Sequence, residues 1–213
     1  MIRYYSFKQR SKQWYIMRLG RWTGSTAIDL LRGKKTPPNT DNVYDNKHML
    51  RGRVLEPLAI EAYEHATGNR VSHFGFITNS KYKHAGYSPD GIEPDTIDEV
   101  KCVNVEKHMA IGTGKIPIPT EWISQTHFGI VVTELHKIRL ILYNPDAETP
   151  LFYLYIPIQQ AILDNIIAKL KATEPKRKPS QMRAKQKYDA NNSTKIKEYN
   201  HKYYLKNKKK YRI

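Results

Sequence analysis

Three residues at short spacing carry the strongest chemical signal in this chain. Asp90 stands in Ser88-Pro89-Asp90-Gly91, and Glu99 and Lys101 follow in Ile97-Asp98-Glu99-Val100-Lys101-Cys102. Side chains of a strand alternate faces, so Glu99 and Lys101 point one way while Asp98, Val100 and Cys102 point the other. A carboxylate beside a lysine, near an aspartate at the end of the preceding strand, makes an oxygen-rich site for a hard cation next to a proton-handling amine. Mg2+ takes one or two carboxylates and keeps positions for water and phosphate. Such an ion lowers the pKa of bound water and clamps a phosphate. Lys101 would orient or deprotonate that water, or neutralise developing charge. The same spacing also fits a plain hairpin with a surface ion pair. Against that stand Ile97, Val100 and Val103, which mark an internal strand where Glu99 and Lys101 need a reason to be buried. Glu56, between Leu55 and Leu58 on a predicted helix, offers a third carboxylate, or else an ordinary surface glutamate.

Other residues are weaker candidates. Gly112-Thr113-Gly114-Lys115 lacks P-loop spacing and reads as a flexible turn. The eight histidines show no metal-ligand spacing with the one cysteine, Cys102, and His127 reads as a surface or partly buried residue. Trp14 and Trp22 could stack on bases, although a core or staple role suits Trp14 better.

The elements that must position these residues follow from periodicity and punctuation. A short helix is capped by Ser11 and stopped at Gly20, and a second runs from Thr23 or Ser25 to Gly33. A longer helix spans about Asn42 to Ala66, with Leu50, Val54, Leu55, Leu58, Ala59 and Ala62 near helical spacing. Strands are predicted at Arg70 to Thr78, Ala85 to Ser88 and Thr96 to Val103. A helix follows at Thr120 to Glu134, then strands at Lys137 to Tyr143 and Leu151 to Ile156, then a helix from Ile158 to about Lys171. The class is α/β, with one domain over 1–172 and a basic Lys/Tyr-rich extension over 173–213, disordered or helical, beyond a break at Glu174-Pro175.

Charge divides the chain in the same place. Residues 171–213 hold 15 Lys or Arg against 3 acidic residues, a net +12 of the chain's +16. Such a field attracts polyanions, nucleic acid above all. Lysines interleaved with Tyr199, Tyr203 and Tyr204 would bind phosphates and stack on unpaired bases, or else form a solubilising or targeting tail. No apolar run reaches the roughly 18 residues of a membrane helix, and the N-terminus lacks the apolar core of a secretory signal. An intracellular protein is expected.

Six motifs stand in a telling order: Trp14-x-x-x-Arg18-Leu19-Gly20, Thr23-x-Ser25, Arg51-Gly52-x-x-x-Glu56-Pro57, Tyr63-x-x-x-Thr67-Gly68, Ser88-Pro89-Asp90-Gly91 and Glu99-Val100-Lys101. Together they resemble the phage lambda exonuclease / YqaJ viral recombinase family of PD-(D/E)xK nucleases, over roughly Ser11 to Phe128. The resemblance implies a restriction-endonuclease-like core with a central mixed β-sheet flanked by helices. It also implies that Asp90, Glu99 and Glu56 hold Mg2+ (Mn2+ substituting) with the Val100 carbonyl, that Lys101 is catalytic, and that Gln125 supports the site. Arg18, Thr23, Ser25 and Ser88 match positions that hold the 5′-phosphate of a DNA end. Arginine pairs phosphate bidentately and hydroxyls add donors, which suits that role. Where the family's helix motif favours tyrosine, this chain has Phe128.

The implied activity is two-metal, 5′→3′ digestion of double-stranded DNA, leaving 3′ single-stranded tails for recombination or end processing. A homotrimer and a single-strand annealing partner are expected with it. An endonuclease on the same centre, or a non-catalytic DNA-binding protein using the basic tail, are the alternatives.

Overall fold

A computed structural model describes residues 1–38 and 47–174, with the side chains of 47–49 set aside. The basic extension and the first residues of the long predicted helix, Asn42 to Asn46, therefore lie outside the described residues.

The elements run β1 (Ile2–Tyr5), α1 (Lys12–Arg18), a 3-10 turn (Gly24–Thr26), α2 (Ala27–Leu31), α3 (Lys47–Thr67), β2 (Phe76–Asn79), β3 (Gly91–Glu93) and β4 (Thr96–Lys101). They continue through α4 (Val105–Gly112), α5 (Thr120–Thr133), β5 (Lys137–Tyr143), β6 (Leu151–Tyr155) and α6 (Gln160–Thr173). The central sheet has the order β3-β4-β5-β6 and is mixed: β4 and β5 are parallel, and the outer pairs are antiparallel. A parallel neighbour needs a crossover, and α4 with α5 supplies it. A separate antiparallel pair, β1-β2, sets Arg3 opposite Thr78 and Ile2 opposite Asn79.

Strand alternation sorts the two faces. Ile97 of β4 and Ile138, Leu140 and Leu142 of β5 enter the larger core beneath α2, α5 and α6, with Leu30, Phe128, Ile166 and Leu170. Val100 and Ile141 face the other way, against Ala59, Ile60 and Tyr63 of α3. The sheet is thus covered on both sides, and β4 carries its polar groups between two apolar layers. Asp98 joins the α3 side, fully buried against Arg139 at 2.6 Å, with Glu93 on the same guanidinium. Arg139 also lies 4.1 Å from the Tyr63 ring centroid, a cation–π contact that helps a buried charge.

Several expectations are corrected. The helix predicted from Thr23 to Gly33 is a 3-10 turn followed by only five α-helical residues. Thr26 accounts for this: its hydroxyl accepts from Thr23 N–H and donates back to the Thr23 carbonyl, which tightens the first turn. The strand predicted over Arg70 to Thr78 reduces to β2, with a single bridge at Ser72. Ala85 to Ser88 makes isolated bridges, Ala85 to Trp22 and Tyr87 to Ile77, instead of a strand. Leu50, Val54 and Leu58 are exposed rather than core, because α3 buries the stripe through Ala59, Ile60 and Tyr63. Trp14 is half-buried in a helix with no buried residue, so it is not a core residue, whereas Trp22 is 1% exposed and cannot reach a base. Elements β1, β3 and α4 were not expected at all.

Candidate active site

The centre is built where β3 and β4 emerge between α3 and α5. Asp90 directly precedes β3, and its Oδ2 accepts from the backbone N–H of Val100 at 2.8 Å, which ties it to the neighbouring strand. Glu99, 1% exposed, is held by three donors: Lys101 Nζ at 2.6 Å and Gln125 Nε2 at 2.5 Å on Oε1, and Tyr87 Oη at 3.0 Å on Oε2. Lys101 Nζ also donates to Gln125 Oε1 at 3.2 Å and lies 5.7 Å from the Trp122 ring centroid. Gln125 thus joins carboxylate to ammonium with one amide, which fixes both at once. Glu56 approaches from α3, paired with Arg10 at 3.7 Å.

Electrostatics tie these groups together. Burial raises the Asp90 carboxyl well above the usual carboxylate range, and the charges of Glu99 and Glu56 raise it further. Burial also raises Glu56; Arg10 opposes the shift and Glu99 adds to it. Burial alone would lower the Lys101 ammonium, but Glu99 and Asp90 outweigh it and hold the group protonated above its ordinary value. Carboxylates crowded in this way favour a cation among them.

Whether a divalent ion fits is decided by donor chemistry. Among the described residues no three Asp, Glu, His or Cys side chains converge closely enough to hold an ion by themselves. Mg2+ does not need three, since one or two carboxylates with a carbonyl, water and substrate phosphate complete its shell. Asp90 and Glu99 provide hard oxygens of that kind, with Glu56 and the Val100 carbonyl nearby in the fold. The residues present fit such an ion.

A cleft of about 540 Å³ opens over this centre, and Glu56, Asp90 and Gln125 share its lining with Trp14, Arg18 and Ser25. Glu99 lies behind that lining. In the same cleft Arg18 Nη2 donates to Ser25 Oγ at 2.9 Å and to Thr23 Oγ1 at 3.3 Å. Arg18 also sits 4.3 Å from the Trp14 ring centroid, and Trp14 Nε1 donates to Ser88 Oγ at 2.8 Å. All four expected phosphate-pocket residues are therefore brought together, three directly and Ser88 through Trp14.

Four neighbours were not singled out from sequence. Arg10 adopts a left-handed backbone (φ 63°), rare for a non-glycine residue and strained, and this conformation accompanies its pairing with Glu56. Gln9 anchors the same turn by donating to the Pro89 carbonyl at 2.7 Å, one residue from Asp90. Trp122 is the aromatic neighbour of Lys101. Tyr87, fully buried, is pressed between two glycines: a Cβ at Gly24 would meet its ring at 2.8 Å, and one at Gly129 would meet it at 2.7 Å. The small residues at 24 and 129 were the available signal for Tyr87. Nothing local signals Arg10.

His127 is fully buried, contrary to expectation. Its Nδ1 donates to the Ile123 carbonyl and its Nε2 accepts from Gln159 N–H, so it holds α5 to the start of α6 as a neutral ring, and burial lowers its pKa. Phe128 packs in the core, where a hydroxyl would need a partner. Gly112 ends α4 against Phe152 and Gly114 turns with φ 74°, so this segment is a helix end with a turn.

A mixed sheet between helices, with a carboxylate–lysine cluster beside a cleft that also holds an arginine–hydroxyl group, defines the class. Residues 13–136, more than half of the chain, match the model of the YqaJ-like viral recombinase domain, and the chain belongs to that family. Among solved structures, the alkaline exonuclease LHK-Exo from Laribacter hongkongensis is similar, alone and in complex with dAMP. Each of the two shares 24% identity at a TM-score of 0.65, covering 87% of this chain and 100% of that one. A phage-related exonuclease from Haemophilus somnus follows at 11% identity and a TM-score of 0.47, covering 72% of this chain and 92% of that one. No curated protein matches the chain. No helix among the described residues is long and apolar enough to cross a membrane.

Proposed function

We propose that this protein is an Mg2+-dependent deoxyribonuclease that digests double-stranded DNA from its ends, 5′→3′. The observation that carries the reading is one cleft lined by Asp90, Glu56 and Gln125 together with Arg18 and Ser25, with Glu99 and Lys101 hydrogen-bonded behind it through Gln125. Family membership and the fold of an alkaline exonuclease support it.

Asp90 and Glu99 would hold the metal, with Glu56 and the Val100 carbonyl; when bound, Mg2+ lowers the pKa of water and neutralises phosphate charge, in a one- or two-metal arrangement. Mn2+ is expected to substitute. Lys101, protonated and fixed by Glu99 and Gln125, would stabilise the charge that develops on the oxygens of the pentacoordinate phosphorus. Gln125 and Tyr87 hold Glu99 in one orientation, so no reorganisation is needed when the phosphate arrives. Arg18, Ser25 and Thr23 would take the 5′-phosphate of an end, with Trp14 stacked on the guanidinium to keep it in plane. An end held there presents the next phosphodiester to the carboxylates. The product is a 3′ single-stranded tail, a substrate for a strand-annealing partner, and a homotrimeric ring is the assembly proposed with it.

The decisive test compares linear duplex with closed circular DNA in Mg2+. Linear DNA is degraded and circles survive; cutting of circles would replace this reading by an endonuclease on the same centre. Lys101→Ala should lower kcat by roughly 100-fold or more while leaving duplex binding intact. Arg18→Ala should erase the preference for 5′-phosphorylated over hydroxyl ends, and equal wild-type activity on both ends would remove the pocket's role. A wild type that cleaves nothing with Mg2+ or Mn2+ would leave a DNA-binding protein.

A further inference from the structure

At the candidate active site Arg10 pairs with Glu56 and Lys101 with Glu99. Beside Met17 of α1 a second group of cations has no such partner among the described residues. A second cavity, of about 260 Å³, lies between β1, β2 and the end of α1, lined by Arg3, Arg21, Lys83, Thr78, Ser80 and Tyr5 among others. Strand register explains the grouping: Arg3 sits directly across from Thr78, so both face the same side of the β1-β2 pair, as do Tyr5 and Ser80 two residues along.

Three cationic side chains thus surround one small cavity, joined by the Met1 ammonium, which donates to Ser80 Oγ at 2.6 Å. Among the described residues none of the three pairs with a carboxylate. The nearby acid, Glu134, is already taken by Lys81 and Asn79. Arg21 is held in place, its Nη1 donating to the Met17 carbonyl, while its Nε is buried without a partner among the described residues. Like charges converging without a counter-ion destabilise the free protein, and a fixed guanidinium beside hydroxyl donors matches the geometry of a phosphate. Arg21 lies beyond the end of α1, past the left-handed Gly20, while Met17 of α1 lines this cavity and Trp14 and Arg18 line the catalytic cleft.

We propose that Arg3, Arg21 and Lys83 form a second phosphate site, which grips the DNA backbone outside the catalytic cleft. The choice of DNA as the polyanion rests on the nuclease reading; the phosphate chemistry does not. The site would add affinity without sequence preference and keep the duplex engaged between cleavage events.

Arg3 and Lys83 are both exposed, so the full-length double variant Arg3→Ala/Lys83→Ala should fold. Its binding to a 5′-phosphorylated duplex is measured by fluorescence anisotropy without divalent metal across a salt series. Cleavage at saturating DNA is measured separately with Mg2+. The expected result is affinity lower by about 10-fold and a log–log salt slope shallower by about one, the loss of one phosphate contact. Rate at saturation and preference for phosphorylated ends stay unchanged, unlike in Arg18→Ala. Unchanged affinity and slope would overturn the site, and so would a loss of end preference equal to that of Arg18→Ala. If the wild type binds duplex and the double variant binds weakly, yet neither cleaves with Mg2+ or Mn2+, the nuclease reading fails and the phosphate site stands.

Discussion

Glu99 is held by three donors at once, Asp90 by one backbone amide, and Glu56 by a single arginine at 3.7 Å. Two of the three, Asp90 and Glu56, carry a marked dependence on pH. Asp90 and Glu56 have raised folded values, Asp90 through burial, Glu99 and Glu56, and Glu56 through burial and Glu99. A raised acid keeps its proton in the folded state at a pH where the unfolded chain has lost it. Their contribution to metal-free stability is thus fully present at low pH, and falls as pH rises from about 4, the ordinary carboxylate range, through the folded values. Metal binding needs the ionised forms, so activity should rise across that same window. Removing a like charge, Glu56→Gln should move the acid limb of metal binding to lower pH. Titrating Mn2+ affinity against pH checks this, and a limb that stays in place would separate Glu56 from the Asp90 site. That Glu99 and Lys101 share a face was legible in the sequence because strand alternation fixes it. Arg10 and Tyr87 were not: one depends on a left-handed turn and the other on two glycines far away in sequence, and neither leaves a periodic trace.

At the scale of elements, α3 is fastened to the end of β4 by Arg51. Its Nη1 donates to the Cys102 and Val103 carbonyls at 3.1 and 3.0 Å, and its Nη2 to Asn144 Oδ1 at 3.1 Å, while Asn144 Nδ2 closes the ring on Val103. Asn144 is wholly buried, so Arg51→Ala would leave acceptors without partners and cost about 1–3 kcal/mol. The same change frees α3, and with it Glu56, from the strand bearing Glu99. Urea unfolding should show the loss, and metal affinity should weaken with it. An unaltered midpoint would mean that water replaces the guanidinium without cost. Elements with strong patterns were readable from sequence: β5 falls over Lys137–Tyr143 as expected, and α5 ends one residue before the predicted Glu134. Pairings between distant segments were not. β1 is a strand only because β2 lies beside it, with Ile2 against Asn79, and four residues of mixed polarity cannot announce that partner. α4 is eight residues capped by Asn104, set in a stretch whose glycines suggest a turn.

For the whole molecule, most of the net charge belongs to residues 171–213, +12 of +16. Deleting 176–213 should flatten the salt dependence of DNA binding by several phosphate contacts and leave metal affinity unchanged. An unchanged slope would assign the binding field to the nuclease domain. Within that domain Tyr87 touches both the Gly24 turn and Glu99. Its ring edge fills the space left by Gly24, between Thr23 and Ser25 of the phosphate pocket, and its hydroxyl holds Glu99. On the proposed function, a phosphate bound at the 24–26 turn would act on the carboxylate through this one rigid side chain. Linkage makes that effect reciprocal: a terminal phosphate should tighten Mn2+ binding by the same factor by which Mn2+ tightens the phosphate. Tyr87→Phe keeps the ring and deletes the link, and should leave the two ligands blind to one another.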